Sequence, residues 1–254
     1  MNENLIPIME PAHDVIELPS KGLYYKNKKG NVKVAYLTAA DENILTSPNL
    51  IQSGKVLDHL LDRKVLDKDL RPSQMLASDR NAILFYLRAT GYGEMYTVQL
   101  EDPKTGNTFE HDIDISSFKA KELSVLPDEN GEIAFVLPKS KKNVKYRYLT
   151  AMEDESIVKE DEARRKKIGV NAISEVLTKR LAAQITNIDG VSDRGQIEQF
   201  VMNMTPYDAS MLRKFINENE PGLDLRINVE APSGEFFFGE LPITTKFLWP
   251  YLDI

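Results

Sequence analysis

No cysteine occurs in the 254 residues, which removes disulfides, thiol catalysis and thiolate metal sites together and fits a reducing compartment. Histidine is almost as scarce. His13, His59 and His111 lie far apart, with no pair at helical ligand spacing, so neither a zinc site nor any other cofactor is expected. His111, on an alternating segment, reads as a packed or hydrogen-bonded side chain rather than a general base. No apolar run approaches the roughly 20 residues of a membrane span. The start, Met1-Asn-Glu-Asn-Leu-Ile-Pro7, has neither the basic opening nor the apolar core of a signal peptide, so a soluble intracellular product is expected. Positive charge is in deficit: 32 Lys and Arg against 39 Asp and Glu leave a net charge of −7, which argues against a general nucleic-acid binder. Phosphate loops, H-E-x-x-H and G-x-S-x-G are all missing, and Gly91-Tyr-Gly93 lacks the third glycine and the following helix of a dinucleotide loop. Nothing here argues for an enzyme.

What the chain does have is an echo. Asn31–Ala39 reads NVKVAYLTA and Asn143–Ala151 reads NVKYRYLTA, seven matches in nine positions at a spacing of 112 residues. Looser matches follow at a spacing of 129: Met75–Leu84 with Met204–Arg213, and the segment from Tyr96 with that from Leu225. A repeated segment implies a repeated structural unit, with 17 extra residues inside the second copy. Apolar residues make up 42% and charged ones 28%, near globular norms, so wholesale disorder is not expected.

Residues 1–15 read as an extended arm, Val15–Pro19 as an edge strand and Ser20–Gly30 as a turn. Val32–Leu37 is a strand that runs into a helix capped by Thr38 with Asp41. Its twin, Thr150 with Glu153, is a T-x-x-E capping box. Pro48 interrupts the first helix, and Leu50 to Leu61 resume a helical stripe. Ser78 is expected to cap a third helix carrying Ile83, Leu84 and Leu87 on one face, and Gly91 to end it in the left-handed conformation. A hairpin follows, with Tyr96, Val98 and Leu100 against Phe109, His111, Ile113 and Ile115 around Asp102–Gly106. Residues 118–131 form a polar connector, and the unit boundary is placed there. The second copy opens with a strand at Glu132–Pro138. Glu153–Lys167 suits an exposed charged helix, and Val170 to Ile185 an amphipathic one. Asn187–Gly190 turns, Ser192–Met204 is a short helix, and Thr205 caps another before Pro206. A second hairpin sets Leu225, Ile227 and Val229 against Phe236, Phe238 and Ile243, turning at Ala231–Gly234. The fold expected is α+β, in two tandem units, 1–128 and 129–254, each ending in a hairpin. The aromatic tail, with Phe247, Trp249 and Tyr251, must bury somewhere. It either closes the second unit or anchors a partner, so these three are the candidate interface residues.

Val15–Tyr25, Tyr36–Ile51, Asp79–Leu84 with Gly91–Gly93, and Pro242–Pro250 together resemble the baseplate-hub protein family of contractile-tailed, T-even-like bacteriophages. The resemblance covers almost the whole chain. It implies a non-enzymatic structural or assembly component of the tail baseplate, working through contacts with other baseplate or tail proteins. It implies a location in the virion tail after assembly in the host cytoplasm; no nucleic-acid or membrane partner is expected, from the acidic balance and the lack of a long apolar run. A soluble tail-assembly chaperone that leaves before completion is the alternative, and an enzyme or metal-dependent module a further one. Many relatives carry Cys-Pro-x-Cys pairs at the two hairpin turns, in the manner of zinc ribbons. Here the turns read Glu101-Asp-Pro-Lys-Thr-Gly106 and Glu230-Ala-Pro-Ser-Gly234, so a zinc-ribbon-like hairpin without cysteines, and without metal, is expected.

Overall fold

Helices and small antiparallel sheets alternate along the chain in the computed structural model, which describes residues 11–169, 171–241, 243 and 245–248, and the expected α+β class holds. The N-terminal half begins with β1 (His13–Glu17) paired antiparallel to β2 (Asn31–Ala35), Ile16 facing Val32. The intervening turn doubles back tightly. Gly22, at φ +72°, is packed so close that an added Cβ would lie 2.5 Å from the Lys29 carbonyl carbon. Three short helices follow: α1 (Ala39–Leu45), α2 (Pro48–Ser53) and α3 (Val56–Lys64). The stripe expected from Leu50 to Leu61 is thus two helices. Gly54 divides them in the left-handed conformation, φ +67°, which its missing Cβ permits. After α3 the chain returns to the sheet, where Val65 bridges Val34.

A tight turn at Pro72–Gln74 leads to α4 (Ala77–Tyr92), which buries Ile83, Leu84 and Leu87 as expected, and Phe85 as well. Its two ends depart from expectation. The N-cap is Leu76, not Ser78. No side chain at the cap accepts a bond; instead the Leu76 N–H, one of the helix's unpaired donors, is taken by the Tyr25 hydroxyl at 2.9 Å, a group 51 residues away. Gly91 lies inside the helix and is there for space, since an added Cβ would meet Leu37 Cδ1 at 2.7 Å; the stop falls at Gly93, φ +87°. Buried Arg88 holds that corner by donating to the carbonyls of Gly93 (2.5 Å) and Met95 (2.9 Å). The hairpin of β3 (Met95–Glu101) and β4 (Thr108–Asp114) follows, with Val98 opposite His111 and Leu100 opposite Phe109. His111 is exposed, not packed.

In the C-terminal half β5 (Ile133–Val136) pairs with β6 (Asn143–Tyr146), and α5 (Ala151–Ile168) follows from Thr150. The amphipathic helix expected over Val170–Ile185 is shorter, α6 (Val176–Gln184). Asp161, fully buried on α5, accepts from the Ser174 hydroxyl and the Glu175 N–H, both at 2.9 Å. Those bonds hold the incoming segment outside the helix and leave Ile173 82% exposed. Ile185–Ile188 then forms β7, a third strand on the free edge of β6 that local reading took for helix end and turn. Helices α7 (Arg194–Asn203) and α8 (Pro206–Glu218) lead to β8 (Arg226–Glu230), β9 (Phe236–Glu240) and a last turn, α9 (Thr245–Leu248).

One hydrophobic cluster runs through both halves. The halves are also stitched by backbone: Leu76 bridges Thr150, Ala120 bridges Leu223, and the Ala151 N–H donates to the Met75 carbonyl at 2.9 Å. Tyr24 meets Tyr148 edge-on across the same seam, ring centres 5.1 Å apart.

Candidate functional site

Two residues beyond each nonapeptide, a carboxylate folds back on the helix start. At α1 the Thr38 N–H and hydroxyl both donate to Asp41 Oδ2 at 2.8 Å. Asp41 is buried and paired with Lys64 and with Arg63 Nε at 2.8 Å. Burial opposes its charge, but Lys64 and Thr38 outweigh that and hold its pKa below the ordinary value. At α5 the Thr150 N–H donates to Glu153 Oε2 at 2.9 Å, and the Glu153 N–H donates to Thr150 Oγ1 at 3.3 Å. Arg147 forks onto the same carboxylate at 2.9 and 2.6 Å. Burial raises the Glu153 pKa, the Arg147 fork lowers it further, and the balance falls at about 2. At α8 the Asp208 N–H donates to Thr205 Oγ1 at 3.2 Å.

A second pair of carboxylates was not foreseen. Asp79 and Asp208 stand three residues after the caps of α4 and α8, each fully buried. Asp79 accepts from the Ser20 N–H at 3.0 Å and the Tyr25 hydroxyl at 2.5 Å. Asp208 accepts from the Lys139 and Ser140 N–H groups at 2.7 and 3.0 Å. Ser20 follows Leu18-Pro19, and Lys139 follows Leu137-Pro138, so each aspartate grips the turn after a Leu-Pro pair. The recurrence of Leu-Pro was visible in sequence, but nothing local said which side chain would reach it.

The two hairpin turns meet. Asp102 accepts from the Ser233 hydroxyl at 2.8 Å and the Ser233 N–H at 3.1 Å, and also from the Lys104 and Thr105 N–H groups of its own turn at 2.9 and 3.2 Å. Burial opposes this charge; the Ser233 hydroxyl and the surrounding N–H groups prevail and lower the pKa. The resemblance to zinc-ribbon turns would put four thiolates at this meeting point. The residues in the Cys-Pro-x-Cys positions are Asp102, Thr105, Ala231 and Gly234, one carboxylate and no nitrogen or sulfur donor, so they do not fit zinc. Among the described residues no group of three or more His, Asp or Glu could hold a metal ion.

The tail takes an unexpected direction. Phe247 is fully buried, 4.6 Å from the Phe85 ring on α4 and 5.1 Å from Tyr96 on β3, so it closes the N-terminal half and not its own. Trp249 and Tyr251 lie outside the described residues.

The second hairpin corrects a further expectation. Ile227 and Val229 face the core, but Val229 stands opposite Phe237, and Phe236 and Phe238 point outward. The turn sets this register: the Ala231 N–H donates to the Glu235 carbonyl at 2.8 Å, with Gly234 at φ +82°. Strand side chains alternate, so fixing Glu235 fixes which phenylalanines face in. The described residues are therefore a scaffold of short elements joined by buried carboxylates, with an exposed aromatic pair. Comparison with protein families matches it, over residues 11–235, to the family described as T4 bacteriophage base plate protein. The chain belongs to that family. No curated protein and no solved structure matches it. Membership of the base plate family carries a role in the phage baseplate, in contact with other tail proteins. Among the described residues, no helix is long and apolar enough to cross a membrane.

Proposed function

We propose that the chain is a non-enzymatic structural or assembly component of the baseplate hub, acting through protein contacts alone. The family match over residues 11–235 carries this reading. The fate of the buried carboxylates supports it: Asp41, Asp79, Asp102, Asp161 and Asp208 are each spent on backbone N–H groups or neighbouring side chains. A general acid or base needs a group left free for substrate, and each of these is occupied. The reading includes two tandem units, 1–128 and 129–254. It is supported by the doubled nonapeptide, the doubled strand pair before a boxed helix, and the doubled grip of Asp79 and Asp208 on a Leu-Pro turn.

Mass spectrometry of purified tails and of their assembly intermediates tests the role. A fixed copy number in finished tails is the expected result. Presence in intermediates and loss from finished tails would replace it with the soluble chaperone. Absence from both would overturn the baseplate role.

A further inference from the structure

Among the described residues, the outward face of β8–β9 is the one sheet surface that exposes two phenylalanines. Phe236 is 49% exposed and Phe238 72%, their rings 6.3 Å apart on one face of β9. Across the strands stand Glu230 and Asn228. The corresponding face of the first hairpin carries Met95, Thr97, Gln99 and Glu101 against Asp114, Asp112, Glu110 and Thr108: one exposed apolar side chain, at its end, and no aromatic ring. Two adjacent rings at such exposure offer on the order of 200 Å² of aromatic surface to water, a cost that a strand with glutamates at both ends had no local need to bear.

The charge around these rings is as uneven as the rings themselves. Residues 95–114 hold five carboxylates against one lysine, and residues 226–240 hold three against one arginine. The paired hairpins thus account for six of the chain's seven net negative charges in 35 residues. The single arginine is already committed, since Arg226 Nε donates to Asp224 at 2.6 Å. Glu240 stands opposite Arg226, whose guanidinium is held by Asp224, and Glu230 and Glu235 flank the phenylalanines with no base opposite them in the hairpin.

We propose that the Phe236–Phe238 face is a docking site for a protein surface that presents an apolar socket framed by lysine or arginine. This rests on the baseplate reading and names the chemistry of the partner. A second copy of this chain does not fit, because apposing two such faces would set glutamates against glutamates. Nucleic acid and anionic lipid are disfavoured by the same charge. Large aromatics centred in a patch are the side chains that most often dominate an interface, and rim charges set its salt dependence.

The test supplies the chain in trans to the phage that encodes it, deleted for its own copy, and quantifies the chain in purified baseplates and baseplate intermediates. Wild type is expected to be incorporated; if it is found in neither, the baseplate reading itself fails. Where wild type is incorporated, Phe236→Ser with Phe238→Ser should reduce incorporation at least tenfold while the isolated protein melts as wild type does. Full incorporation of that double variant would overturn the docking site. Glu230→Lys with Glu240→Lys should also reduce incorporation, and binding of the wild-type chain to purified intermediates should weaken as salt rises. Charge reversal without effect, or binding indifferent to salt, would overturn the basic character of the partner. Sedimentation of the isolated chain should give a monomer, and a dimer abolished by the phenylalanine substitutions would assign the face to a second copy instead.

Discussion

Asp79 and Asp208 do the same task in opposite surroundings. Each sits in the first turn of a helix and accepts from a turn after Leu-Pro, Asp79 from the Ser20 N–H and the Tyr25 hydroxyl and Asp208 from two N–H groups, which fastens the helix to a strand pair more than 50 residues upstream. At Asp79 the partners, Ser20 and Tyr25, are themselves buried, and burial, the largest influence, raises the pKa. At Asp208 the partners belong to exposed Lys139 and Ser140. Burial again opposes the charge, but the two N–H groups outweigh it and the pKa is lowered. The same residue in the same position therefore carries opposite electrostatics, because the depth of the turn it grips differs. The two aspartates share a grip, and its solvation differs.

The tail gives the sharpest asymmetry. Phe247→Ala should cost about 3–5 kcal/mol, the usual loss for a buried aromatic. Hydrogen exchange should accelerate first in α4 and β3, whose Phe85 and Tyr96 it touches, and not in α8 and β8. Acceleration confined to the C-terminal half would reverse the assignment.

The paired aspartates come next. Asp79→Ala strands two buried donors and should lose about 2 kcal/mol in denaturant unfolding. Asp208→Ala should lose less, because water reaches Lys139 and Ser140 in its place. Equal losses would erase the difference in solvation.

Their pH dependence should also run in opposite directions. A carboxyl whose pKa is raised on folding stabilises the fold below its ordinary value of 3.8 and loses that contribution as pH climbs through the raised pKa. One whose pKa is lowered contributes fully above 3.8 and loses it as pH falls below. The stability gap between wild type and Asp79→Asn should thus narrow as pH rises above the ordinary carboxyl value of 3.8, while the gap for Asp208→Asn should widen as pH rises toward 3.8 from below. Parallel curves would contradict the contrast.

The capping boxes should give the smallest effect. Thr150→Ala should cost about 1 kcal/mol, since its oxygen accepts the Glu153 N–H. Thr38→Ala should cost less, its hydroxyl serving as a donor to Asp41, which keeps Lys64 and Arg63. Thermal melts of the two variants side by side decide it.

Features that depend on near neighbours could be read from the residues. Thr150 with Glu153 and Thr205 before Pro206 satisfy backbone groups within three residues, so their pattern states their role. The hairpins were legible from alternation, but the facing of the second was not. Three consecutive phenylalanines satisfy either register, and only the Ala231–Glu235 turn chooses. The misplaced ends of α4 share one cause: Leu76 finds its acceptor in Tyr25, and Gly91 makes room for Leu37. The shortened α6 follows from Asp161, and the joined turns from Asp102, contacts that span 13 and 131 residues. Propensity carries no information about partners so remote. The buried aspartates were visible as residues but not as a site, since 39 acidic side chains offer no local mark of which are buried.

Phe247 has a consequence for synthesis. A nascent chain emerges from its N-terminal end, and domains built that way ordinarily fold in turn as they appear. Here α4 and β3 leave the ribosome early, yet the ring that seats between Phe85 and Tyr96 comes some 150 residues later. During that interval α4 and β3 lack the ring that lies between Phe85 and Tyr96 in the folded chain. A translation pause before residue 247 would hold the chain in that open form, where another protein's aromatic side chain could take the place of its own.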